Sequence, residues 1–173
     1  SGLLLVAKND RAHLALSRAF LRRTVEKTYL AVCYGLPKAG EGVVEAPIGR
    51  HRTNRTQMAV VSEGRQARTL YRVEERHLGT ALLACRPVTG RTHQIRVHLA
   101  HVGHALVGDP LYAGRQWRAI ADPQSLTACR AFPRQALHAW RLAFTHPVTE
   151  RRLELEAPWP DDLAALVALL RAR

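Results

Sequence analysis

The sequence predicts an α+β fold, a mixed and mainly antiparallel sheet with helices packed on it. Three observations predict it. Residues 67–76 and 80–87 read as a hairpin pair around Leu78-Gly79, and residues 135–144 and 151–157 as a second pair across His146-Pro147-Val148-Thr149. Helical spacing of apolar residues is confined to three segments, near 11–23, 94–102 and the C-terminal end. No internal repeat or linker interrupts the 173 residues, so residues 1–173 read as one domain with a sizeable core.

Taken in order, Gly2-Leu3-Leu4-Leu5-Val6-Ala7 is an unbroken apolar run, expected as a strand buried on both faces. A chain that opens on such a strand reads as cut. Asn9-Asp10 offers a helix cap, and Ala12, Leu16, Ala19, Phe20 and Arg23 mark the period of a helix over 11–23. Val25 to Tyr34 is a strand with Lys27, Tyr29, Ala31 and Cys33 on one face and Thr28, Leu30, Val32 and Tyr34 on the other. Residues 35–40 turn, Val43 to Ile48 is a short strand ended by Gly49, and Met58 to Ser62 is another.

The stretch Thr89-Gly90-Arg91-Thr92-His93-Gln94-Ile95-Arg96-Val97-His98-Leu99 starts with a turn signal. Thr92 is expected to cap the following helix, with Ile95, Leu99 and Val102 as its apolar stripe and Gly103 as its stop. Arg91, His93 and Arg96 then stand at or near the helix start, beside a buried stripe. Residues 103–112 are rich in turn formers, and 113–133 carry so little pattern that a surface insertion is expected. Pro160-Asp161 begins a last helix with Leu163, Leu166, Val167 and Leu170 buried.

The net charge is +12, and only three of the 26 basic residues are lysines. Guanidinium forks bind phosphate bidentately, so nucleic acid leads the partner classes; a generally arginine-rich composition is the plainer reading. Arg50, Arg52 and Arg55 fall within six residues of a loop without apolar anchors, a local positive field that favours RNA contact over a solvated tip. Cys33, Cys85 and Cys129 are far apart and form no CxxC pair, which argues against zinc and disulfides and suits a reducing cytoplasm. No window reaches the ~18 apolar residues of a membrane span. His93, His98, His101 and His104 are close in sequence, but with no HExxH and no nearby carboxylate a metal site is not expected. These histidines are expected to meet solvent, RNA or neighbouring backbone.

Residues 89–98 resemble the signature of the RluA/RluC/RluD family of pseudouridine synthases. Lys27-Thr28-Tyr29-Leu30-Ala31, Pro47-Ile48-Gly49-Arg50-His51 with Met58-Ala59-Val60, Gly108-Asp109-Pro110-Leu111-Tyr112 and Gln135-Ala136-Leu137-His138-Ala139 match it in the same order. The resemblance covers nearly the whole chain and is strongest to the D-type branch, which modifies large-subunit ribosomal RNA. It implies the pseudouridine synthase catalytic fold with a central RNA-binding cleft, and isomerisation of specific uridines without cofactor or metal. The implied partner is large-subunit ribosomal RNA or a precursor particle, met by a cytoplasmic monomer without a membrane.

By family position Arg96 is the arginine that holds the nucleophilic aspartate, Tyr29 lies against the target uracil, and Ile95 packs behind it. Arg91, His93, Arg50, Arg52 and Arg55 complete the expected substrate-binding set. On their residues alone, Tyr29 could be an ordinary half-buried aromatic and Arg96 a phosphate contact. The family's aspartate motif, His-Arg-Leu-Asp-x-x-Thr-Ser-Gly, resembles the chain's opening only in its tail, Ser1-Gly2-Leu3-Leu4-Leu5-Val6-Ala7-Lys8. The nucleophile is therefore expected upstream of Ser1, these 173 residues are expected to be inactive alone, and an S4-like RNA-binding domain is absent from them. The alternative is a non-catalytic RNA-binding or ribosome-associated module with the same fold.

Overall fold

A computed structural model describes residues 1–172; Arg173, the last residue of the expected domain, lies outside the described residues. In chain order the elements are α1 (Asp10–Leu21), β1 (Glu26–Tyr34), β2 (Glu41–Glu45), β3 (Ile48–Arg50), β4 (Met58–Val60), β5 (Arg68–His77), β6 (Thr80–Pro87), α2 (Gln94–His101), a 3₁₀ turn (Gln116–Ala119), α3 (Pro123–Ala131), β7 (Leu137–Thr145), β8 (Arg152–Glu156) and α4 (Asp161–Arg171). Six strands form one sheet in the order β2-β5-β6-β1-β7-β8, and β3 pairs with β4 alone. Every strand pair is antiparallel. Among the described residues the one parallel element is an isolated bridge from Gly2 to Ala139.

β1 shows why helices cover both faces. Its side chains alternate. Leu30, Val32 and Tyr34 join Leu82, Ile120, Cys129, Phe132 and the α4 residues Leu163, Leu166, Val167 and Leu170 in the larger core. Ala31 and Cys33 join Leu83, Cys85 and the α2 residues Ile95 and Leu99 on the opposite face. The β3–β4 hairpin then covers α2 from outside: Val97 packs with Ile48 and Ala67. A helix enclosed between sheet and hairpin is buried all round, which is why Gln94 to Leu99 have no exposed member.

The run at 2–7 is not a strand buried on both faces. Leu3, Leu5 and Ala7 pack beside Leu16, Leu142 and Phe144, while Leu4 and Val6 are 85% and 68% exposed. The segment lies along β7 through Leu3 N–H to Ala139 O and Ala139 N–H to Ser1 O, so only one face meets the protein. Asn9 caps α1 as expected, accepting from Ala12 N–H at 2.9 Å.

Thr92 does not cap α2. His93 takes the N-cap position in the left-handed region, φ 56°, without a side-chain cap bond. The stripe is Ile95 and Leu99; Val102 is 41% exposed. Gly103 does end the helix. Its φ of +84° lets its own N–H reach Ala100 O (3.1 Å) and His104 N–H reach Leu99 O (2.8 Å), the paired closure that glycine allows after a helix. Residues 113–133 are not an insertion. Asp122 caps α3 by accepting from Ser125 N–H at 2.7 Å, and Ala113, Ile120, Cys129 and Phe132 are buried in the larger core.

Candidate active site

The loop 88–92 and the first turn of α2 lie against β1 and leave a cleft of about 350 Å³. Tyr29, Arg91, His93, Ile95 and Arg96 all line it, together with Lys27. Five of the eight sequence-expected site residues are thereby brought together. Arg50, Arg52 and Arg55 are not; they sit exposed at the end of β3 and in its loop to β4, outside the cleft lining.

Tyr29 stands where β1 pairs with Cys85 of β6 and Ala139 of β7, next to a register shift at Thr28. Burial pushes its phenol above the ordinary tyrosine value, so it is protonated at neutral pH. Arg96 is held on its far side by Asp109: Nε donates to Oδ2 and Nη2 to Oδ1, both at 2.8 Å. Asp109 is fully buried at its side chain and also accepts from Leu111 N–H (3.0 Å) and Tyr112 N–H (3.2 Å). The turn at 109–112 thus orients the arginine, and the hydrogen-bonded carboxylate raises its pKa further.

Tyr112 extends this support. Its ring lies 4.9 Å beneath the Arg96 guanidinium. Its hydroxyl accepts Met58 N–H at 2.9 Å and shares a hydrogen bond with His93 Nδ1, also at 2.9 Å. Burial, followed by the Arg96 charge, lowers the His93 pKa and keeps the ring neutral.

Gln94 ties the helix start to the sheet. Its Oε1 accepts from the Thr89 hydroxyl (2.7 Å) and Arg91 N–H (3.1 Å), and its Nε2 donates to Arg68 O (2.9 Å) and the Thr69 hydroxyl (3.0 Å). Gln94, Tyr112 and Lys27 were missed by sequence reasoning. A glutamine inside an otherwise apolar and cationic helix start was the available signal for the first.

His98 is not presented to solvent or RNA. It donates through Nε2 to Ala46 O (3.0 Å) and accepts at Nδ1 from Thr69 (2.9 Å). Among the described residues no group of three or more His, Cys, Asp or Glu is placed to hold a metal. All three cysteines are buried, and burial pushes the Cys33 thiol up to about 12, which removes it as a nucleophile at neutral pH. No helix among the described residues is long and apolar enough to cross a membrane.

Comparisons with known proteins bear on the fold and the family. A family model described as RNA pseudouridylate synthase matches residues 1–101. Proteins named ribosomal large subunit pseudouridine synthase D from Nitrosomonas europaea and Pseudomonas aeruginosa are 50% and 44% identical over 99% of this chain, covering 48% and 53% of their own length. An RNA pseudouridine synthase of Bacillus subtilis, YlyB, is 44% identical over 99% of the chain and 52% of its own length. The chain spans about half the length of these curated relatives. Among solved structures, human RNA pseudouridylate synthase domain containing 1 superposes with a TM-score of 0.72 at 29% identity, over 97% of this chain and 74% of its own. Domain containing 4 gives 0.73 at 27%, over 94% and 69%. With more than half of its residues matched by the family model and its fold shared with two solved members, the chain belongs to the RNA pseudouridylate synthase family.

Proposed function

We propose that this protein takes part in isomerising uridine to pseudouridine in large-subunit ribosomal RNA, with residues 1–173 as catalytic domain. One observation carries the reading: Tyr29 of the central strand and Arg96 of the motif helix line one cleft that contains no Asp or Glu. The names of the D-type relatives support the substrate class.

In this reading an RNA nucleotide leaves its stack and enters the cleft. Tyr29, neutral and apolar-backed, lies against the uracil, and Ile95 packs behind it. Arg96, with one edge committed to Asp109, offers its other edge to an aspartate carboxylate, lowering that group's pKa and fixing it for attack on the nucleotide. His93 and Arg91 meet the flanking backbone, and Arg50, Arg52 and Arg55 hold RNA farther out. The base is detached from C1′, turned and rejoined through C5, a redox-neutral step that needs neither metal nor cofactor. A cytoplasmic monomer is part of the proposal.

The nucleophilic aspartate is assigned to sequence ahead of Ser1, as the likeness of Ser1 to Lys8 to the motif's tail implies. Asp109 cannot serve, because its carboxylate is enclosed by Arg96 and two backbone amides. That same observation favours a second reading for the 173 residues by themselves, a non-catalytic RNA-binding module. Release of C5 tritium from uridine-labelled ribosomal RNA separates the two. A protein that carries Arg-Leu-Asp at the motif's spacing before Ser1 is expected to release tritium, and the 173 residues alone are not. Release by the 173 residues would refute the aspartate assignment, and no release by either protein would refute the synthase reading.

A further inference from the structure

Lys27 is a half-buried cation with no anion paired to it among the described residues. It lines the cleft beside Tyr29 and also two smaller hollows, of about 170 and 230 Å³, so three depressions meet at its side chain. Among the described residues its ammonium forms no ion pair and no hydrogen bond; its one charge contact is the Phe20 ring of α1, at 5.3 Å. The neighbouring carboxylate, Glu26, is engaged elsewhere, by Arg152 at 2.7 Å and Arg86 at 4.0 Å.

An ammonium taken partly out of water without a counter-charge is costly, and burial lowers the pKa of this one. The cleft supplies no carboxylate to offset that cost. Across it Arg91 is equally without an ion pair, its Nε donating only to Gln66 O at 3.1 Å. The arrangement is complementary to a strand that brings its own negative charge.

We infer that Lys27 is a phosphate-binding residue of the cleft, taking a backbone phosphate beside the nucleotide that lies against Tyr29. The inference rests on the RNA reading above. A compact ammonium on a flexible stem suits one phosphate oxygen set rather than a bidentate fork. Its ammonium stands over the Phe20 ring, so α1 also becomes part of the substrate site.

The test is binding of a fluorescein-labelled RNA hairpin with a uridine in its loop, and of versions carrying one uncharged methylphosphonate at each loop position in turn. The probe requires no catalysis. Lys27→Met, which keeps the stem, is expected to weaken binding about five- to tenfold and to lower the salt slope by roughly 0.7, the share of one phosphate on a single strand. One methylphosphonate position should weaken the wild type by a similar factor and leave Lys27→Met unaffected. Lys27→Gln should repeat this pattern, with an unfolding midpoint equal to wild type in both variants. If the two penalties multiply at every position, or the salt slope does not change, Lys27 contacts no phosphate and the inference fails while the RNA reading stands. If the wild type does not bind the hairpin, the RNA reading and the inference fail together.

Discussion

Arg96 and Asp109 form a buried, bidentate pair whose value is geometric more than energetic. Both ions are withdrawn from water, and their attraction does little more than offset that loss. Removing one partner is a different matter. Asp109→Ala should cost about 3–5 kcal/mol in urea unfolding, since Arg96 is left charged and enclosed. Arg96→Met with Asp109→Leu should recover most of that stability yet bind RNA poorly; a double variant as unstable as the single would show that the turn at 109–112, not the stranded charge, was lost. His98 sets a pH limit. Its pKa lies below the ordinary 6.5 because burial disfavours the cation, an effect that the Nε2–H bond to Ala46 O only partly opposes. The unfolded chain therefore binds the proton first. Stability from this site is full above about pH 6.5 and falls as pH drops below it, by at most ~1.4 kcal/mol per pH unit for one proton. Unfolding measured from pH 7.5 to 5 should show that decline, and His98→Gln should lessen it, leaving the share of His77, His93 and His138, whose pKa values burial also lowers.

At the scale of elements, α2 and the segment after it are set by close approach. Gly108 has φ +68°, and a Cβ there would stand 2.1 Å from Arg134 O and 2.9 Å from Phe132 O. Gly108→Ala must push β7's lead-in away, and a loss of about 2–4 kcal/mol is expected in thermal or urea unfolding; a variant as stable as wild type would show that this passage is loose. Such passages explain what the sequence made legible. β1 and β6 were readable as apolar runs between turns, buried on both faces, β5 by its alternation and α4 by the helical spacing of Leu163, Leu166, Val167 and Leu170. Residues 113–133 were not, because Ala113, Ile120, Cys129 and Phe132 reach one core from two short elements and a loop. The start of α2 was misread at Thr92 because Gln94 anchors the preceding loop through Arg91 N–H and Thr89, a job a cap usually shares. At the site, Tyr29 and Arg96 were legible as motif positions, while Tyr112 acquires meaning only when the chain folds its turn beneath Arg96.

The whole molecule distributes its charge in two ways. Many surface arginines are neutralised at the β7–β8 edge and around β5: Arg141 by Glu156, Arg152 by Glu26 and Glu154, Arg72 by Glu74. The cleft and the β3–β4 hairpin are left positive. Arg50, Arg52 and Arg55 form no ion pair among the described residues, although the tip that bears them is ordered by its own bonds, with His51 Nδ1 accepting from Thr53 and Asn54 amides and Asn54 Oδ1 from Thr56. An ordered tip fixes where these arginines leave the backbone, which limits the main-chain entropy lost when phosphates bind. Each phosphate neutralised on a single strand contributes about 0.7 to the slope of log affinity against log salt. Replacing the three arginines by alanine should therefore lower that slope by about 2 between 50 and 200 mM salt, measured by anisotropy on a ribosomal RNA fragment. Stability should change by less than about 0.5 kcal/mol, because all three are exposed. An unchanged slope would make the hairpin a support for α2 alone and would confine RNA contact to the cleft.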